Sequence, residues 1–367
     1  MSQTLRIALL ATHPGFTLSY GRVGRELGYA LERLGHSVTW LGLPTPRGAP
    51  AAHRNALLLP TQNTPMAISQ WLTAHRPDRL ISVGDPWMFM GLPRIVQDAG
   101  VAWTAYFPVD GRPLPHTWHE WLHDCNTPVV YSHFAADVVE AAVGIRPNVA
   151  YHGVDERVFR RLDKIAAKEK VGVAGHFVVG TVCANQQRKN IPALIEAFAR
   201  FSHNKPDVLL YLHTELAGPC WDILELARHH HIEHLVHATL DYDAQRGISD
   251  DDLCHVYNAM DIFVLPTMAE GFGLPIVEAQ ACATPVLATD FSSCPELLPD
   301  DFCKLRVKAM LTMYRNIEQA VVDVDDIVDK LQTLYAAPNR LTELADKSAS
   351  FAKRFTWDAC ASEVLTT

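Results

Sequence analysis

Long hydrophobic runs are missing from this chain. No stretch of its 367 residues approaches the roughly 18 unbroken apolar positions that a membrane-spanning helix needs, so spanning segments are excluded. The eight cysteines include no C-x-x-C pair. Scattered through a chain this long, they read as reduced, mostly buried thiols. The first residues, Met1 to Arg6, run into an apolar strand without a signal-peptide cleavage pattern, so the expected location is cytoplasmic. Lysine is absent from residues 1–150, where 11 Arg face 10 acids, a balance of +1. The remainder holds 21 basic and 31 acidic side chains, or −10, which together make the −9 of the whole. A strongly basic nucleic-acid protein is not indicated. Internal repeats and low-complexity segments are also absent.

What is present is the material of a globular protein, 48% apolar and 20% charged, long enough for two ordinary domains. Short β-rich runs alternate with helical stretches, which argues for parallel sheets in an α/β protein. The expected strands of the first half are 5–11, 37–41, 79–83, 101–107 and 129–132. Those of the second are 177–183, 208–212, 235–238, 262–265 and 285–288. Between the first two strands, Leu27, Ala30, Leu31 and Leu34 repeat at helical spacing and Gly35 is placed to end the helix. The charged stretch 160–170 reads as the interdomain linker. Two doubly wound units in series put a ligand at strand C-termini.

The most specific segment is Met268-Ala-Glu-Gly-Phe-Gly-Leu-Pro-Ile-Val-Glu-Ala279. A buried strand ends at Leu265, a glycine loop follows, and Pro275 suits the first turn of a helix. Gly271 and Gly273 let a ligand approach the backbone, and the free amides opening the helix make a phosphate site. Glu270 stands before the helix and Glu278 one turn inside it. Fully helical spacing would set the two carboxylates roughly 12 Å apart, against the ~5 Å pair of a retaining glycosidase. They read as two handles on one long ligand. Upstream, Gly180-Thr-Val-Cys-Ala-Asn-Gln-Gln-Arg-Lys-Asn-Ile-Pro192 places Arg188 and Lys189 just before another helix, where two cations suit a diphosphate.

Other patterns carry less. The Ser19-Tyr-Gly-Arg-Val-Gly24 loop fits phosphate contact through Gly21 and close helix packing equally well. His119-Glu-Trp-Leu-His123 matches the H-E-x-x-H string without a third ligand, and its flanking tryptophans fit a half-buried helix. Asp241-Tyr-Asp243 lies among other acids and reads as solvated, and His229, His230, His231 and His234 bind nothing physiological.

At these residues the chain resembles the retaining, GT-B-fold glycosyltransferases of family 4, the glycosyl transferases group 1. The resemblance runs from Tyr151 to about Leu298. It takes in His152-Gly-Val-Asp155 with Phe159, Arg188-Lys189-Asn190, Leu253 to Asp261, the E-x7-E pair Glu270 and Glu278, and the segment to Asp290. The first half is similar more loosely, through the Gly21 loop and Gly35-His36-Ser37-Val38, and Trp357-Asp358 fits a final helix.

The resemblance implies two Rossmann-like domains, an acceptor domain at 1–157 and a nucleotide-sugar domain at 158–350, with a last helix at 351–367 crossing back to the first. It implies that Glu278 binds the donor ribose. Glu270 and the amides of Gly271, Phe272, Gly273 and Leu274 would hold the sugar and diphosphate of a UDP-, GDP- or ADP-sugar. Arg188 and Lys189 would take the phosphate charge, with no metal or other cofactor required.

Two departures stand out. Ala184 occupies a place where many members have arginine. Pro108-Val109-Asp110-Gly111 stands where a first-domain histidine often follows, which makes Asp110 the candidate for orienting the acceptor.

Between Asp85 and Trp121, 7 of 37 residues are aromatic, about 19% against 9% for the chain. Trp87, Asp110 and Arg112 lie past strand ends there and are the expected acceptor contacts. A carbohydrate or small hydroxylated acceptor leads. A hydroxymethylated base in DNA, read between aromatic walls, stays open as the one nucleic-acid role. A GT-B phosphorylase, a nucleotide-sugar epimerase or a non-catalytic nucleotide-sugar-binding protein would share the phosphate site.

Overall fold

The computed structural model describes residues 4–16, 20–44, 51–239 and 247–366. The chain divides into two compact units. Residues 1–153, 315–317 and 355–367 form the first, and 154–314 with 318–354 form the second. These divisions stand beside the sequence boundaries of 157 and 350.

The first unit is built on one parallel sheet. Its strands are β1 (Arg6–Thr12), β2 (Ser37–Leu43), β3 (Ala56–Leu58), β4 (Arg79–Val83), β5 (Ala102–Phe107), β6 (Thr127–Val130) and β7 (Asn148–Val149). They lie in the order β3-β2-β1-β4-β5-β6-β7. The central strands are near-continuous apolar runs because both faces are covered, as a parallel sheet requires. The second unit repeats the plan with β8 (Phe177–Val182), β9 (Val208–His213), β10 (Val236–Ala238), β11 (Ile262–Leu265), β12 (Val286–Thr289) and β13 (Lys304–Leu305), in the order β10-β9-β8-β11-β12-β13. An antiparallel pair follows, β14 (Val307–Thr312) with β15 (Glu318–Val322). Strand order therefore reverses beside β1 and β4 in the first unit and beside β8 and β11 in the second. Loops past those strand ends are where a doubly wound sheet binds ligands.

One sequence expectation is overturned. The 160–170 stretch is not a linker. Lys164–Lys170 is a helix of the second unit, capped by the Asp163 carboxylate, which accepts the Ala166 N–H at 2.8 Å. Its lysines point at the protein: Lys168 Nζ donates to Asp261 Oδ2 at 2.6 Å and Lys164 Nζ to the Met260 carbonyl at 2.7 Å. Asp261 also accepts the Val178 N–H at 2.7 Å, so the charges that suggested a solvated link instead tie this helix to β8 and β11.

Aromatic residues 85–121 are mostly core. Phe89, Trp103, Tyr106, Phe107, Trp118 and Trp121 are buried. Edge-to-face pairs such as Phe89–Trp121 at 5.6 Å and Phe107–Trp121 at 5.1 Å join them, a geometry that adds to their burial. Only Trp87 of the seven is exposed, at 50%.

Gly153 explains the His152-Gly-Val-Asp155 motif structurally. A Cβ there would stand 2.2 Å from the Trp357 amide nitrogen, at the start of the Trp357–Leu365 helix that completes the first unit. Beside it the His152 ring lies against Trp357 at 5.6 Å, and Tyr106 Oη lies 2.6 Å from its Nδ1. Burial lowers the His152 pKa to about 3, so it stays neutral in the core. Gly153→Ala should destabilise the protein at the upper end of the about 1–3 kcal/mol range for overpacking, because backbone and not a flexible side chain must move. Urea denaturation checks this; an unchanged midpoint would refute it.

Candidate functional site

Two loops meet at the point of strand reversal in the second unit. The first leaves β8 and turns through a short 3-10 segment, Gln187–Lys189, into the Ile191–Ser202 helix. The second leaves β11 and enters the Leu274–Ala281 helix. Backbone bonds join them: the Arg188 carbonyl accepts from the Met268 N–H at 2.6 Å and from Thr267 Oγ1 at 3.0 Å. Asn190, at φ 51°, makes the turn that ends the first loop.

Between the loops lies a charge cluster in which Lys189 and Glu270 are buried and Arg188 is half-buried. Glu270 is 4% exposed and Lys189 7% exposed. Lys189 Nζ donates to Glu270 Oε1 at 2.5 Å, and Arg188 Nη1 donates to Oε2 at 3.0 Å and to the Ala269 carbonyl at 2.9 Å. Burial alone would push the Glu270 carboxyl up. The charges and hydrogen bonds of Lys189 and Arg188 override it and hold the group at about 2. Two cations against one carboxylate leave a net positive charge. An ammonium has three N–H donors, and among the described residues the Glu270 carboxylate is the one hydrogen-bond partner of the Lys189 ammonium.

The glycine loop is shaped for close approach. Gly273 holds φ 106°, a conformation open to glycine, immediately before the helix. Gly271 and Leu274 are half-buried, while Phe272 is buried. The Leu274–Ala281 helix follows the loop directly, with Gly273 at its N-cap and no side chain capping its first amides, so the positive end of its dipole lies at the loop's end. One turn in, Glu278 is buried, and Tyr257 Oη donates to its Oε2 at 2.7 Å.

A family model described as glycosyl transferases group 1 matches residues 163–347, the stretch that carries this cluster. The chain belongs to that family. Among its relatives, the D-inositol 3-phosphate glycosyltransferase of Segniliparus rotundus is 29% identical over 225 residues, 58% of this chain and 44% of that protein. The MMP alpha-(1->4)-mannosyltransferase of Mycolicibacterium hassiacum is 28% identical over 218 residues, 58% of this chain and 46% of that one. The match thus spans under half the length of these curated relatives. In fold, the chain resembles the Anabaena HepE protein solved with UDP-glucose, at a TM-score of 0.76 and 17% identity over 98% of both chains. The two Rossmann-like parallel-sheet units are the GT-B architecture that the sequence resemblance implied.

The group 1 motif residues Arg188, Lys189, Glu270, Gly271, Phe272, Gly273, Leu274 and Glu278 all lie on these two loops and the helix that follows. Gly21 belongs to the first unit, as the second residue of the Tyr20–Arg33 helix. A Cβ on it would stand 2.4 Å from the Phe16 carbonyl oxygen, so close packing accounts for it. Ser19 and the Asp241-Tyr-Asp243 string lie outside the described residues.

Trp87, Asp110 and Arg112 sit past β4 and β5 in the first unit. Sequence reasoning missed a pair there: Tyr20 Oη donates to Asp85 Oδ1 at 2.7 Å, joining the start of the Tyr20–Arg33 helix to the loop after β4. Burial, with Tyr131 and the Asp85 and Asp110 carboxylates nearby, pushes the Tyr20 hydroxyl well above its ordinary pKa.

His119 and His123 lie on a six-residue helix, His119–Asp124. Among the described residues no three His, Cys, Asp or Glu side chains gather to hold a metal.

Proposed function

We propose that this chain is a retaining glycosyltransferase of family 4, moving a sugar from a nucleotide-sugar donor to a hydroxyl acceptor. The observation that carries the reading is the Lys189–Glu270–Arg188 cluster, positive overall, with Lys189 and Glu270 buried and Glu270 on the loop that leads into the Leu274–Ala281 helix. Departure of a nucleoside diphosphate puts negative charge on phosphate oxygens and positive charge on the sugar ring. Lys189, Arg188 and the loop amides stabilise the first by preorganised charge.

Glu278, oriented by Tyr257, binds the ribose, and Glu270 faces the transferred sugar. The bond from the anomeric carbon to the phosphate oxygen breaks, and the bond to the acceptor oxygen forms on the same side. The acceptor proton passes to the departing phosphate. Protein cations and amides already neutralise the diphosphate in this scheme, so no metal is needed. The acceptor, a carbohydrate or small hydroxylated molecule, lies against the loops after β4 and β5, with Trp87 offering a flat face and Asp110 and Arg112 fixing hydroxyls.

A thermal-shift series with UDP-, GDP- and ADP-sugars tests the donor assignment. A ligand at 100 times its Kd should stabilise the protein by about 2.7 kcal/mol, and one nucleotide series should do so. No shift with any of them would remove the donor site from the second unit.

A further inference from the structure

Ser292 and Ser293 follow β12 and carry no role in the reading above. Ser292 holds φ 54°, a left-handed backbone that costs a residue with a Cβ roughly 1–2 kcal/mol. It is 5% exposed, and its Oγ accepts the Glu270 N–H at 2.9 Å. Ser293 is fully buried and its hydroxyl lies 2.6 Å from the Phe272 carbonyl and 3.0 Å from that of Glu270. The two serines therefore grip the glycine loop by its amide and by its carbonyls.

They differ in one respect. Ser293 spends its hydroxyl proton on a loop carbonyl. Ser292 only accepts: among the described residues its proton has no acceptor. A hydroxyl carries one donor and two acceptor sites, and an unmade hydrogen bond in a buried place costs about 1–3 kcal/mol. Both Glu270 carboxylate oxygens are already engaged by Lys189 and Arg188. A strained, buried serine with an unspent proton beside the Glu270 amide is accounted for by a ligand oxygen arriving there.

We propose that Ser292 is a donor-binding residue whose hydroxyl donates to a hydroxyl oxygen of the transferred sugar, with Ser293 positioning the loop. This rests on the glycosyltransferase reading. The sugar is the partner because Ser292 abuts Glu270, whereas the cations and helix amides serve the diphosphate.

Calorimetry with three matched pairs tests it: UDP-glucose with UDP, GDP-mannose with GDP, and ADP-glucose with ADP. The pair that wild type binds is used for Ser292→Gly and Ser292→Ala. Alanine removes only the hydroxyl, while glycine removes the Cβ with it but suits φ 54°, so glycine decides the matter if the alanine variant folds poorly. Both variants should bind the nucleotide sugar about tenfold more weakly, the worth of one such hydrogen bond, and bind the nucleoside diphosphate within twofold of wild type. Equal loss for both ligands, or no loss in Ser292→Gly, would overturn the proposal. If wild type bound none of the six compounds, the glycosyltransferase reading would itself fail and take the proposal with it, a result distinct from either.

Discussion

Lys189→Ala is expected to lower turnover by about 10²-fold or more, and Arg188→Ala by a comparable factor, the size of losing one preorganised transition-state donor. The geometry gives the reason. Each cation is bonded to Glu270, yet the ammonium keeps donors in reserve and the guanidinium projects from a loop tied to the glycine loop. In the proposed reaction, charge on the leaving diphosphate grows as the glycosidic bond breaks, so contacts from these cations would strengthen toward the transition state and act on kcat more than on KM. Truncating Lys189 also leaves Glu270 with Arg188 alone, so rates must be referred to the folded fraction, read by circular dichroism. Steady-state rates within threefold of wild type for both variants would take the pair out of the chemistry.

The loops of the candidate site stood out in the sequence while parts of the fold did not, and the difference has a physical basis. Gly273 and Pro275 have narrow backbone requirements, and Arg188 and Lys189, an ordinary basic pair by themselves, stand one strand-and-loop unit upstream of that glycine loop. Such residues announce their local geometry. β3, β7 and β13 have two or three residues each and left no period to read. The β14–β15 hairpin turns through Arg315 and Asn316, at φ 65° and 59°, where glycine would have signalled the turn.

The Lys164–Lys170 helix was concealed because its lysines look solvated until Asp261, over 90 residues away, is brought to them. Tyr257, Ser292 and Ser293 are ordinary residues whose value lies in contacts spanning about 20 residues, and spacing does not reveal such contacts. The aromatic surplus at 85–121 misled in the opposite direction. An apolar ring packs a core as readily as it stacks on a ligand, and six of these seven do the former.

Glu270 should show the second large effect. Removing one partner of a buried ion cluster leaves charge uncompensated, so Glu270→Ala is expected to cost about 3–5 kcal/mol of stability. Glu270→Gln keeps the shape and loses the charge, which permits a cleaner measurement. In wild type the carboxyl is held at about 2, below its ordinary 4.5. A carboxylate with a depressed folded-state pKa contributes its full stabilisation above the unfolded value, and loses it as pH falls through the folded one. The stability gap between wild type and Glu270→Gln should therefore be constant above about pH 5 and shrink between 4.5 and 2.

Chemical denaturation across that range measures it, and a gap independent of pH would mean that Glu270 is not the paired anion described here. The same variant separates structure from function. With one negative charge gone beside Lys189 and Arg188, free nucleoside diphosphate should bind as well as in wild type or more tightly. On the proposed roles, transfer should nonetheless fall by about 10²-fold, because the contact assigned to the sugar is altered while those assigned to the phosphates remain. Parallel loss of diphosphate affinity and transfer would assign Glu270 to holding the cations in place and to nothing on the sugar.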